Sequence, residues 1–230
     1  MTAMLASVRN LVEAQLVADC GVDWIDLKDP SRGALGEVDA ATIAEVSRAL
    51  GARFRISATI GDCWETPSAI PARVAASRAA GAAYVKVGAY ARAPAPAILE
   101  ALRQACQAPA QVIVVCFAED PPALDDLARL AATGIVGVML DTAVKAGPSL
   151  RELMPAEALQ AFVTRARELG LLTGLAGRLG PEDVAPLRRH APDYLGFRGA
   201  LCASALRTGS IDVAKVRALR ASIRPFEPGN

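Results

Sequence analysis

The chain has 230 residues, 53% of them apolar but only 4% aromatic, with a formal net charge of +1. That length suits one barrel-sized domain of roughly 200 to 250 residues, and an Ala/Val/Leu/Ile core suits helices packed on buried strands. Basic residues are scattered, which excludes a nucleic-acid-tracking stripe; with no basic leader and no apolar run of about 18 residues, neither secretion nor a membrane span is expected.

Short β-branched or apolar runs alternate along the chain with Ala/Leu/Arg segments of helical periodicity, the pattern of repeated βα units. Strands are expected at 4–7, 23–27, 55–60, 84–88, 112–117, 136–140, 172–176 and 194–197. The following helices are expected at 10–20, 40–50, 68–80, 96–106, 122–133, 156–169, 181–190 and 211–222. Gly21, Gly51, Gly81, Gly134 and Gly170 close five of these helices, where a left-handed cap is expected. Eight units of about 30 residues predict an α/β fold, a single-domain (β/α)8 TIM barrel over 1–224 with a tail at 225–230. A doubly wound sheet would carry a GxGxxG turn after its first strand, and none is present.

Five cysteines, Cys20, Cys63, Cys106, Cys116 and Cys202, are odd in number and never spaced CxxC. They read as reduced residues of a cytoplasmic protein. The one histidine, His190, follows two arginines near a helix end and is expected at the surface. A Ser-His-Asp triad or a multi-histidine zinc site would need more imidazole chemistry than that. Any general base must be Lys, Asp, Glu or Tyr.

A barrel of this kind places its active site at the C-terminal ends of its strands. The chain has four lysines, Lys28, Lys86, Lys145 and Lys215, and three of them fall at or just beyond a strand end. In Trp24-Ile25-Asp26-Leu27-Lys28, alternation puts Asp26 and Lys28 on one face and Ile25 and Leu27 on the other. With the apolar pair toward the helices, the charged pair faces the barrel axis. Lys86, between Val85 and Val87, points inward by the same parity. In the sixth unit Met139 and Asp141 share a face, and Thr142-Ala143-Val144-Lys145 carries an amine back over the opening.

A lysine near a strand end can simply reach water, and Asp26 with Lys28 can be a plain salt bridge. Three gathered amines suggest more, because crowding lowers the pKa of at least one ammonium below the usual value. A neutral amine attacks carbonyls, and a second amine with a carboxylate can move the protons that follow. Strands seven and eight end in Gly177-Arg178 and Phe197-Arg198-Gly199, where barrels commonly bind phosphate; Gly177, Arg198 and Gly199 are the candidates. Tight turning alone would also explain the glycines. The loop at 29–36, with two glycines and an arginine, is read as a second phosphate site or a lid.

The strings Trp24-Ile25-Asp26-Leu27-Lys28-Asp29-Pro30, Gly33-Ala34-Leu35-Gly36, Ser57-Ala58-Thr59-Ile60-Gly61-Asp62, Tyr84-Val85-Lys86-Val87-Gly88, Met139-Leu140-Asp141-Thr142-Ala143-Val144-Lys145 and Leu175-Ala176-Gly177 resemble, in order and over nearly the whole chain, the (5-formylfuran-3-yl)methyl phosphate synthase family of methanofuran biosynthesis. The resemblance implies a barrel lyase that condenses two molecules of glyceraldehyde 3-phosphate with loss of phosphate and water. It implies Lys28 as the Schiff-base residue and Lys86 as proton acceptor, with Asp26, Asp141 and Lys145 at further active-site positions, and neither metal nor organic cofactor. The archaeal pattern has Asn at the position of Asp29 and a glycine-rich stretch where this chain has 201–209.

The readings to be separated from this one are another class I aldolase of sugar phosphates and a non-catalytic barrel that binds a phosphometabolite. A homo-oligomer is expected, as in many such barrels.

Overall fold

The chain is described by a computed structural model covering residues 2–61, 63, 65–89, 94–107, 111–144, 146–204 and 206–223. Lys145, Asp62 and the expected tail at 225–230 lie outside the described residues.

Eight parallel strands close a barrel: β1 (Ala3–Val8), β2 (Trp24–Leu27), β3 (Arg55–Thr59), β4 (Tyr84–Ala89), β5 (Gln111–Phe117), β6 (Gly137–Asp141), β7 (Leu172–Leu175) and β8 (Tyr194–Phe197). Each pairs with its neighbour in sequence, and β8 pairs back onto β1 with Tyr194 opposite Ala3 and Phe197 opposite Ala6. The helices are α1 (Leu11–Asp19), α2 (Ala40–Leu50), α3 (Ile70–Ala79), α4 (Pro96–Ala105), α5 (Leu124–Ala131), α6 (Leu150–Leu153), α7 (Ala156–Glu168), α8 (Pro181–Arg188) and α9 (Val213–Ile223). The expected fold class is therefore the observed one. No helix among the described residues is long and apolar enough to cross a membrane.

Local chemistry starts these helices where the sequence expects them. The Asn10 side chain accepts a hydrogen bond from the backbone of Glu13, and Asp39 accepts one from Thr42, each satisfying a donor that the first helical turn leaves open. Pro96 and Pro181 open α4 and α8 at positions that need no N–H donor.

Three short elements escape the periodicity: 3-10 turns at Pro67–Ala69 and Gly199–Leu201, and the single turn α6. Segments of three or four residues are too short to show a repeat. Gly51 also departs from expectation. Gly21, Gly81, Gly134 and Gly170 are left-handed, but Gly51 remains right-handed at φ −63°. Its chain winds one turn further, with Arg53 and Phe54 both donating to Leu50 O, so no reversal is needed there.

Alternation divides the strand residues into two cores. Ile25, Leu27, Val85, Val87, Val138 and Leu140 face the helices in the larger buried cluster. Leu5, Trp24, Ile113, Val115, Phe117, Met139 and Tyr194 fill the barrel interior in a second cluster. The inward parity expected for Asp26, Lys86 and Asp141 follows from their neighbours lying outside.

Candidate active site

Strand register sets the first polar layer. Asp26 stands opposite Ser7 of β1 and Ser57 of β3. Both hydroxyls donate to its carboxylate, Ser7 Oγ to Oδ2 at 2.9 Å and Ser57 Oγ to Oδ1 at 2.6 Å. Lys86 reaches the same carboxylate from β4, its Nζ 2.9 Å from Asp26 Oδ1. Every member of this group is buried. Burial by itself would raise the Asp26 pKa, but the charges of Lys86 and Lys28, with the Ser57 and Lys86 hydrogen bonds, hold it below the ordinary carboxylate value.

Lys28 and Asp141 lie nearer the C-terminal rim. Lys28 follows the last residue of β2, with its Nζ 4.0 Å from Asp141 Oδ2. Asp141 ends β6 and accepts the Thr142 N–H at 2.7 Å through its other oxygen. The structure thus brings together four of the five expected catalytic side chains, two amines and two carboxylates.

Below the charges lies an aromatic floor. Trp24 packs on Tyr84 and Tyr194, with ring centroids 4.4 and 5.1 Å away, and Lys86 Nζ stands 5.8 Å from the centre of the Tyr194 ring. Above them the 29–36 loop folds inward. Gly36 O accepts hydrogen bonds from Asp29 N and Thr59 Oγ1, and Ala34 and Leu35 join the interior cluster with Phe117 and Met139. Lys28 is consequently 8% exposed and Lys86 2%, so both side chains are almost shut off from bulk water. Inward packing favours the lid reading of this loop.

At the opposite rim, Gly177 sits at φ +110°, and a side-chain carbon there would come within 2.7 Å of Thr142 Cγ2. Both the left-handed backbone and the close approach to the end of β6 require glycine. Gly199 opens the 3-10 turn after β8.

Arg198 requires a correction as a phosphate-binding side chain. Its Nε donates to Arg207 O, its Nη1 to Ser7 O and Glu13 Oε2, and its Nη2 to Glu13 Oε1 and Gly209 O. A guanidinium has five N–H donors, so none is left for a ligand. The physical reason is Glu13, a buried carboxylate in the first turn of α1. Arg198 therefore holds the loop after β8 to β1 and α1.

Ser7, Ser57 and Glu13 are the contributors the sequence reading passes over. The serines occupy the inward parity of the strands on either side of β2, so extending the alternation argument from β2 to its neighbours finds them. Glu13, three residues after Asn10, has the spacing of an ordinary capping residue and does not advertise a partner 185 positions away. His190 lies just past the end of α8 against Gln160, on the side where β8 begins and not where the site lies, and Lys215 anchors α9 by donating to Cys202 O and Ala203 O. All five cysteines are free thiols.

A closed parallel barrel with buried lysine and aspartate side chains at the C-terminal ends of its strands defines a (β/α)8-barrel protein with an amine-and-carboxylate site at its mouth. The chain belongs to the 4-HFC-P synthase family of enzymes, whose family model matches residues 4–220. A relative from Methylorubrum extorquens that bears the name (5-formylfuran-3-yl)methyl phosphate synthase provisionally is 46% identical over 213 residues, covering 93% of this chain and 88% of its own. The (5-formylfuran-3-yl)methyl phosphate synthase of Methanosarcina acetivorans is 33% identical over 216 residues, 89% of this chain and 92% of its own. Among solved structures, phosphoribosyl anthranilate isomerase from Thermus thermophilus superposes with a TM-score of 0.68 at 16% identity, over 97% of this chain and 98% of its own. That likeness is one of fold.

Proposed function

We propose that this enzyme joins two molecules of glyceraldehyde 3-phosphate into (5-formylfuran-3-yl)methyl phosphate, for methanofuran or a related furan cofactor, through an imine on Lys28. Mass balance requires release of one phosphate and two water molecules. The observation that carries the reading is the buried array of Lys28, Lys86, Asp26 and Asp141 at the barrel mouth, in a chain whose relatives bear that product's name.

The Lys28 amine adds to the aldehyde carbon of one triose, and loss of water leaves the imine. An iminium withdraws electrons from the neighbouring carbon, so the C–H there becomes acidic. Lys86 is the proposed proton acceptor: its ammonium first passes a proton to Asp26, 2.9 Å away, and the freed amine then takes the C–H proton. Asp141, at 4.0 Å, orients Lys28 and can return a proton to leaving water. Lys145, on the segment following β6, is assigned to the same site from sequence. Backbone N–H groups around Gly177 and Gly199 are the proposed phosphate contacts on the β7 and β8 side. The near-complete burial of Lys28 shields an imine there from bulk water.

Incubation with glyceraldehyde 3-phosphate should release inorganic phosphate together with a near-ultraviolet absorbance from the furan aldehyde. A six-carbon product that keeps both phosphates would instead identify an aldolase.

A further inference from the structure

Arg207 lies in the loop between β8 and α9, and its Nη2 donates to Gly33 O at 2.6 Å. Gly33 belongs to the loop after β2, the strand that presents Asp26 and Lys28. The strand between β8 and β2 is β1, so this side chain crosses the barrel rim over the end of β1. It is half-buried, and among the described residues it forms no ion pair with a carboxylate.

The scaffold under Arg207 is elaborate for a single backbone hydrogen bond. Arg198 donates to Arg207 O and Gly209 O, and Arg9 donates to Thr208 O. Both arginines are bound in turn to Glu13. Two guanidiniums and a buried carboxylate thus fix the backbone at Arg207 and the two residues after it, while among the described residues its own remaining N–H donors bond nothing. Arg32 and Arg178, also in loops at this end of the barrel, are exposed and rest on Glu37 O and Gly147 O. Burial lowers the Arg207 pKa, the charges of Asp141 and Asp29 oppose that, and Arg198 adds to it. The guanidinium is still a cation at neutral pH and lies within electrostatic reach of the proposed catalytic carboxylate Asp141.

We propose that Arg207 is a binding residue for a phosphate monoester, gripping a substrate phosphate on the β8–β1–β2 side of the mouth. A planar fork with spare parallel donors matches two phosphate oxygens. The assignment rests on the triose-phosphate reading above for its substrate, though its phosphate chemistry can be measured separately.

Inorganic phosphate titrated calorimetrically into the whole protein is the direct probe. The wild type should bind it, and Arg207→Gln should weaken binding by about tenfold or more. In turnover, Arg207→Gln should raise KM for glyceraldehyde 3-phosphate by a similar factor, with Arg207→Lys recovering part of the loss. Borohydride trapping of unphosphorylated glyceraldehyde on Lys28 should be unchanged by either substitution. Equal phosphate affinity in wild type and Arg207→Gln would overturn the site, as would an equal loss of trapping with the unphosphorylated aldehyde, which would mean that Arg207 only shapes the loop. Phosphate binding that needs Arg207, in a protein that forms no adduct on any lysine, would leave this site standing and overturn the catalytic reading instead.

Discussion

Lys86 and Asp26 meet at 2.9 Å inside the barrel, both side chains 2% exposed, with Ser7 and Ser57 completing the carboxylate's hydrogen bonds. A buried ion pair contributes little net stability when intact, because desolvating two charges offsets most of their attraction. Removing one partner leaves an uncompensated charge. Asp26→Asn is therefore expected to lower unfolding stability by about 3–5 kcal/mol and to abolish turnover. Adding Lys86→Met to Asp26→Asn should recover most of the stability and none of the activity. Chemical denaturation decides this, and a double variant as unstable as the single one would contradict the account.

The acid limb of stability follows from Asp26 and Glu13. For Glu13, burial favours the protonated form, but hydrogen bonds from Arg198 and Arg9 outweigh it and leave the pKa lowered; Asp26 is lowered too. Both carboxylates bind a proton less readily folded than unfolded. Their contribution is thus complete above about pH 4, the unfolded range, and is lost as the pH falls through the lowered folded values. Glu13→Gln should cost about 3 kcal/mol at neutral pH and flatten the loss of stability below pH 4. Denaturant midpoints measured from pH 7 to 3 test this, and an unchanged acid slope would speak against it.

Tyr194 gives the opposite expectation. Its hydroxyl is fully buried and finds no hydrogen-bond partner among the described residues, while its ring supports Trp24 and faces Lys86. Tyr194→Phe keeps the ring and deletes an unsatisfied polar group, so stability should hold or rise by up to about 1 kcal/mol. Turnover should stay within about twofold of wild type. A destabilised variant by thermal melting would show that the hydroxyl has a partner such as buried water.

Leu35 tests the lid. The residue is 2% exposed inside the mouth, above amines that are themselves almost covered. Leu35→Ala should loosen the loop and speed modification of Lys28 by an amine-reactive reagent by about tenfold, the change expected from roughly 1.4 kcal/mol of lost closure. Lys215, on α9 and bonded to two carbonyls of the loop after β8, is the internal control. Equal Lys28 rates in wild type and variant, read by peptide mass mapping, would mean the loop does not gate that amine.

Strand periodicity made the barrel legible, because apolar residues must face the helices and that parity sends Asp26, Lys86 and Asp141 inward. The order and approximate bounds of all eight strands followed from short apolar runs set between segments of helical periodicity. What the sequence could not show was partnership. Lys28 is the nearer neighbour of Asp26 along the strand, yet the 2.9 Å contact comes from Lys86 two strands away. Arg198 reads as a phosphate ligand until Glu13 is found beside it, a contact between residues 185 positions apart. Leu35 reads as an ordinary loop residue because nothing in a short glycine-flanked segment says which way it folds. Each of these depends on the barrel's closure, a property of the whole sheet.

Covalent capture of substrate by Lys28 leaves an imine that borohydride reduces to a stable adduct. Wild type and Lys28→Arg, which keeps the charge but cannot form an imine, are treated with glyceraldehyde 3-phosphate and borohydride, then digested for peptide mapping. A substrate-derived mass on the Lys28 peptide of wild type, absent from a folded and inactive Lys28→Arg protein, is the result expected. A wild-type protein with no adduct on Lys28, or a Lys28→Arg variant that retains substantial turnover, would contradict it.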